Sequence, residues 1–231
     1  MPSPRKPGPI FFGLGIIGAV IFLTLGVWQV QRLQWKTALI ERVETGLKAA
    51  PTPAPGPDAW PALSVNGDEY RRVTVTGHYL SAPDTLVQAV TEQGRGFWVM
   101  TPFVAEGNWT LFINRGFIPE AKPDPGEWAA PAGTVTVDGL LRMDQPGGGF
   151  LRSNRPAEGR WFSRDLEAMS GALKIGTAAP YFIDAGPGQN ALPVGGLTVV
   201  KFRNSHLSYA LTWFALATAL GGFLIWQMRR R

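Results

Sequence analysis

Two stretches of the chain carry no charged residue: Pro7 to Gln31 and Asn204 to Met228, 25 residues each. About 20 apolar residues suffice for a helix to cross a bilayer core, so each run is long enough to span. Ile10 to Val30 predicts the first membrane helix. Beyond it, Leu33, Lys36, Leu39, Ile40, Val43 and Leu47 recur at three- and four-residue steps, so the helix should emerge in amphipathic form and end near Gly46 to Ala50. Pro51, Pro53, Pro55, Pro57 and Pro61 then forbid an α-helix and predict an extended linker over 51–61.

The period then changes to two. From Tyr70 to Tyr79, Val73, Val75 and Gly77 fall on one face, and Thr74, Thr76 and His78 on the other. Further strands are expected at Thr85 to Val90, Phe97 to Val104, Trp109 to Phe117, Thr134 to Leu141, Pro180 to Asp184 and Leu197 to Phe202, with turns at Gly94 to Gly96 and Glu106 to Asn108. One short helix is expected over Ser163 to Leu173, capped by Ser163 and burying Leu166, Met169 and Leu173. The Pro- and Gly-rich stretches 119–133, 145–159 and 186–196 are expected loops. The predicted class is an α+β membrane protein. Two transmembrane helices flank a β-rich extracytoplasmic domain, an antiparallel sheet that can curl into a barrel.

Charge sharpens this picture. All 17 acidic residues lie between Arg32 and Arg203. Of the 22 Lys and Arg, five lie outside that span (Arg5, Lys6 and Arg229 to Arg231), leaving 17 bases to balance 17 acids. The net charge of +5 therefore sits at the two tips. By the positive-inside tendency both tips are cytoplasmic. The expected order is a cytoplasmic tip at 1–9, a helix at 10–31, a periplasmic domain at 32–203, a second helix at 204–228 and a cytoplasmic tip at 229–231. A nucleic-acid surface would need excess positive charge on a folded face, and the middle has none. Arg5 and Lys6 before an apolar run resemble a signal peptide. No small-x-small cleavage site follows, so an uncleaved anchor is expected. Gly15, Ala19 and Gly26 fall on nearly one face and mark a close approach to the second helix.

The absence of cysteine excludes disulfides, thiolate metal sites and thiol catalysis. Gly147 to Gly149 lacks the Lys and Ser/Thr of a phosphate loop. With His78 and His206 expected in different layers, no conventional catalytic set can be built, and a non-enzyme is expected. His78 reads as an outward strand residue. His206 differs, because a histidine inside a membrane helix needs a purpose. On a helix, His206, Tyr209, Ala210, Trp213 and Ala217 share a stripe. An imidazole beside small and aromatic side chains suits a flat iron macrocycle. Arg203 and Lys201, with Arg32 and Lys36, could pair its propionates. The other reading is a histidine bonded to Asn204 or Gln29 that holds two helices in register. Spacing alone favours the second.

Several motifs then carry a resemblance. They are Leu25-Gly26-Val27-Trp28-Gln29 with Arg32-Leu33-Gln34-Trp35-Lys36; Tyr70-Arg71-Arg72-Val73 with Gly77; Gly96-Phe97-Trp98-Val99 with Thr101-Pro102; and Asn114-Arg115-Gly116-Phe117-Ile118-Pro119. Gly139-Leu140-Leu141-Arg142, Trp161-Phe162 and Asp165 follow. The most specific is Asn204-x-His206-Leu207-x-Tyr209-Ala210-x-Thr212-Trp213-Phe214. Over nearly its whole length the chain resembles the Surfeit locus 1 family of cytochrome c oxidase assembly factors, in which Phe117 is often Trp. The resemblance implies a bacterial inner-membrane protein that helps mature the haem-copper core subunit. It implies haem a bound through His206 as the iron ligand; Tyr209, Trp213, Arg203 and Arg32, from the stripe and charge pattern above, are the residues expected around it. Cytochrome c oxidase subunit I and haem a synthase are the expected partners, besides membrane lipid. A scaffold that holds an oxidase intermediate without haem is the alternative. Gly116 is expected to occupy a conformation or close contact that a side chain would spoil.

Overall fold

The computed structural model describes residues 9–121, 124–149, 152–188, 192–197 and 204–230. The chain divides into a helical unit, Met1–Arg42 with Lys201–Arg231, and a β-rich unit, Val43–Val200.

In the helical unit, α1 (Pro9–Lys48) continues past the unit boundary without a break, and its partner α4 (His206–Arg229) closes the chain. Both are long and apolar enough to cross a membrane. Their outer faces are apolar and exposed, at Leu14, Ile17, Val20, Leu207, Leu211 and Ile225 among others. In water such a surface would demand a cover; in lipid it needs none. The helices run antiparallel, because rising numbers on α1 meet falling numbers on α4. Phe11 packs edge-on to Phe223, Phe22 stacks on Trp213 at 5.6 Å, and Gln29 meets His206. A Cβ at Gly15 would lie 2.7 Å from Leu224 Cδ2, and one at Gly26 would lie 2.6 Å from Phe214 Cε1. The expected small-residue seam is present. It works as such seams do in lipid, by letting the backbones approach. Thr24, Thr212 and Thr218 donate to carbonyls four residues back in their own helices.

In the β-rich unit, β1 (Thr52–Pro53) and the single turn α2 (Val65–Asp68) precede six longer strands. These are β2 (Arg72–Tyr79), β3 (Thr85–Thr91), β4 (Gly94–Ala105), β5 (Thr110–Pro119), β6 (Val135–Met143) and β7 (Ala178–Ala185), with α3 (Leu166–Leu173) before the last. The strand order is β1-β2-β6-β7-β5-β4-β3, and a further β2–β4 pairing closes five strands into a ring. Gly77 lies at that closure, opposite Ala105. A Cβ there would strike the Val104 carbonyl, so the crossing needs glycine. The ring is a small barrel filled by its own side chains: Val73, Val75, Phe103, Leu111, Ile113, Val137, Leu141, Tyr181 and Ile183. A second core lies where α3 and Trp161 cover the opposite faces of β4, β5 and β7, around Met100, Phe112, Leu166, Met169 and Phe182. Burial on both faces explains why β5 is buried from Leu111 to Ile118 with no alternation.

Four expectations need correction. The sheet is not wholly antiparallel: β5 and β7 pair in parallel, as do β1 and β2. The crossover between β5 and β7 carries β6 and α3, and strand period cannot reveal such a pairing. The proline stretch is no free linker. Its Ala54, Trp60 and Leu63 pack on the barrel core, and the Pro55 carbonyl accepts from Trp60 Nε1 and from the buried Tyr181 hydroxyl. Asp165, not Ser163, caps α3 by accepting from the Ala168 amide, while Ser163 Oγ accepts from Gly148 N–H. Tyr70 adopts a left-handed conformation, φ 67°, which delays β2 to Arg72. The strand expected at Leu197 to Phe202 falls outside the described residues except for Leu197, which is in no strand.

Two predictions follow from the packing. Gly116 has φ +132°, and a Cβ would strike the Val194 carbonyl, which itself bonds the Phe117 amide at 2.9 Å. Gly116→Glu should destabilise the chain by at least about 2 kcal/mol, read as a lower denaturation midpoint. An unchanged midpoint would contradict the contact. In the helical unit, Gly26→Ile should push Phe214 aside. The chain has no cysteine, so Phe22→Cys with Trp213→Cys gives a clean reporter. A short bismaleimide should cross-link that pair efficiently with Gly26 present and poorly with Gly26→Ile.

Candidate functional site

Membrane hydrocarbon offers polar side chains no water, so each needs a partner in the protein. Gln29, 9% exposed, sits near the middle of α1 facing α4. Its Oε1 is 2.7 Å from His206 Nδ1. His206 is the first residue of α4, and its backbone N–H lies 3.4 Å from Asn204 Oδ1. An amide oxygen placed there can only accept, which makes Nδ1 the ring nitrogen that would donate to it. Among the described residues Nε2 makes no hydrogen bond.

Of the expected site residues, the described ones do not converge on His206. Trp213 faces the seam and stacks on Phe22 rather than standing beside an open space. Tyr209, one turn on from His206, is 55% exposed. Arg32, one turn beyond Gln29, is exposed, its guanidinium 5.8 Å and 5.3 Å from the ring centres of Trp28 and Trp35. Arg203 and Lys201 lie outside the described residues. Ala210 and Ala217 are buried at a seven-residue step continued by Leu224, which is the helix–helix contact. Their small size therefore admits α1. The expectation that they make room for a macrocycle is corrected: any flat ligand on His206 must lie outside the seam.

The donor chemistry does suit an iron ligand. A ligating histidine regularly donates its other ring N–H to an oxygen, which sets its tautomer and orientation. Gln29 supplies that oxygen. Among the described residues no group of three or more His, Asp or Glu could hold a metal ion.

The β-rich unit carries two buried charge clusters. Arg115 Nε donates to Thr101 Oγ1 at 2.7 Å and its Nη2 to Asp84 at 3.0 Å, while Thr101 donates to Asp84. Burial pushes the neighbouring Tyr79 phenol up to about 12, even though Arg115 pulls it down. In the second cluster Asp184 accepts from Arg142 Nη1 at 2.8 Å and from Asn114 Nδ2 at 2.7 Å, with Arg164 at 3.6 Å. Burial alone would lower the Arg142 pKa, but Asp184 and Glu69 outweigh it and hold the guanidinium charged. Arg164 is lowered, by burial first and by Arg142 beside it. Asp184, Asp84 and Glu69 were missed in the sequence as partners. The signal was available only in part, as two arginines, Arg115 and Arg142, inside strand patterns. His78 is exposed on β2 and joins no cluster.

Comparison with known proteins matches the SURF1 family over residues 16–218, a span that includes Gln29, the whole β-rich unit and His206. Surfeit locus protein 1 of Mus musculus is 37% identical over 84% of this chain and 68% of its own length. The Homo sapiens protein of the same name is 35% identical over 84% and 70%. A SURF1-like protein of Monosiga brevicollis is 32% identical over 99% and 90%. On the extent of these matches, with both apolar helices and the closed barrel in place, the chain belongs to the SURF1 family.

Proposed function

We propose that this chain assists the assembly of a haem-copper cytochrome c oxidase, holding haem a through His206 and handing it to subunit I. The observation that carries this reading is the Gln29–His206 contact, in which Nδ1 faces the amide and Nε2 makes no hydrogen bond among the described residues. Haem a, if bound, would supply an iron that an imidazole can ligate. The chain's own residues do the rest. His206 binds, Gln29 orients, the exposed ring of Tyr209 offers a stacking surface beside the ligand, and Arg32 and Arg203 offer positive charge for propionates. Trp213 supports the site from within the seam. No bond-making by the protein is needed, so the role is non-enzymatic. Basic residues at both tips support cytoplasmic termini and a periplasmic β-rich unit in the bacterial inner membrane. Haem a synthase is the fitting donor, and subunit I the acceptor.

A second reading has its own support. The His206 stripe is largely helix seam, which suits a haem-free scaffold that grips a folding intermediate of the oxidase.

Two experiments separate these. Protein purified from cells that make haem a should show a haem spectrum, and His206→Ala should lose haem content at least about tenfold while its helix content by circular dichroism is unchanged. Full haem content in His206→Ala would refute the ligand assignment. Blocking haem a synthesis should abolish co-purification with subunit I if haem delivery is the role; association that persists would favour the scaffold.

A further inference from the structure

The Gln29–His206 pair bears on which ring nitrogen is available. A neutral imidazole has one N–H, and in water its proton exchanges freely between Nδ1 and Nε2. Here Oε1 of Gln29 lies 2.7 Å from Nδ1. An oxygen without a proton at that distance selects the Nδ1–H form.

The lock is supported from several sides. Gln29 is nine-tenths buried and cannot relax toward solvent. About one turn away on α1, Gly26 lies against the Phe214 ring, so the two helices cannot slide freely past each other. Farther along, Phe22 stacks on Trp213. His206 itself is steadied at its backbone by Asn204. A glutamate would also accept from Nδ1, but it would place a charge in the seam. The neutral amide accepts without one.

We infer that Gln29 is a positioning residue: it holds His206 as the Nδ1–H tautomer and turns Nε2 outward as an open electron-pair donor for haem iron. This rests on the axial-ligand reading above, but its first consequence exists in protein without haem. Gln29 contacts the ring and not the iron, so its effect on iron passes through His206.

The test uses the full chain in lipid nanodiscs, in a His78→Gln background that leaves one imidazole. In haem-free protein, 15N NMR should report a protonated, pyrrole-type Nδ1 and a bare, pyridine-type Nε2. Gln29→Leu should shift the ring toward Nε2–H, and Gln29→Glu should restore Nδ1–H. Titration with iron protoporphyrin IX should then weaken about tenfold to a hundredfold in Gln29→Leu and recover in Gln29→Glu, with the helix content by circular dichroism kept throughout. An Nε2–H ring in the parent protein would mean that the amide presents its NH₂ to the ring, and would overturn the inference. So would a Gln29→Leu ring with unchanged tautomer. A parent ring in the Nδ1–H form that takes up no iron porphyrin would instead overturn the axial-ligand reading, leaving Gln29 as a helix-register residue.

Discussion

The helical unit depends on one constraint: a polar side chain in hydrocarbon must find its partner within the protein. Thr24, Thr212 and Thr218 meet it locally, each bonding a carbonyl of its own helix. Gln29 and His206 meet it across the seam, 177 residues apart in sequence. That bond can form only if α1 and α4 pack closely and in one register. The glycines at 15 and 26 provide the closeness, and the rings of Phe22, Trp213 and Phe214 provide the register. A one-turn slip would displace Gln29 by about 5.4 Å and leave the buried Gln29 amide and the half-buried His206 ring unpaired. The helix pair is thus specified by the Gln29–His206 contact as well as by its apolar ones.

Much of this was legible in the chain because the relevant signals are local. Uncharged runs announce the helices, period-two alternation announces β2, and Gly15 and Gly26 announce a close approach. What could not be read was mostly non-local. Thr110 to Pro119 has the apolar density of a strand buried on both faces, yet nothing in it names β7 as its parallel neighbour. The prolines at 51–61 forbid an α-helix, but that ban does not say where the extended chain lies. Trp60 and Leu63 decide it by packing on the barrel core. Trp128 similarly pins an expected loop, buried with Val99 and Ile118. The stripe through Ala210 and Ala217 was legible as a stripe but not as to what it faces. Small residues leave the same trace whether they admit a helix or a cofactor.

The motif Asn114-Arg115-Gly116 shows how a family signature can be exhausted by the fold. Asn114 donates to Asp184 and accepts from the Gly116 amide. Arg115 is tied to Asp84 and Thr101. Gly116 lets Val194 pair with Phe117. Removing one partner from such a buried set strands the other, which costs about 3–5 kcal/mol. These residues therefore have sufficient reason to be as they are without any ligand. The parallel β5–β7 join, where Asn114 meets Asp184, is the place in the barrel where that cost would be felt first.

The Gln29–His206 pair differs in kind. The β-rich unit's arginines and carboxylates bond one another from several directions, whereas the imidazole uses one nitrogen for the helix seam and keeps the other. If helix register were the whole requirement, any donor–acceptor pair of similar size would meet it, and a second asparagine or glutamine is the simplest. Histidine adds a property that register does not need: when Nδ1 holds the proton, Nε2 is a strong, neutral ligand for a transition metal. Seam packing explains why the two side chains meet. Under the proposed function, the unused valence is the reason one of them is an imidazole.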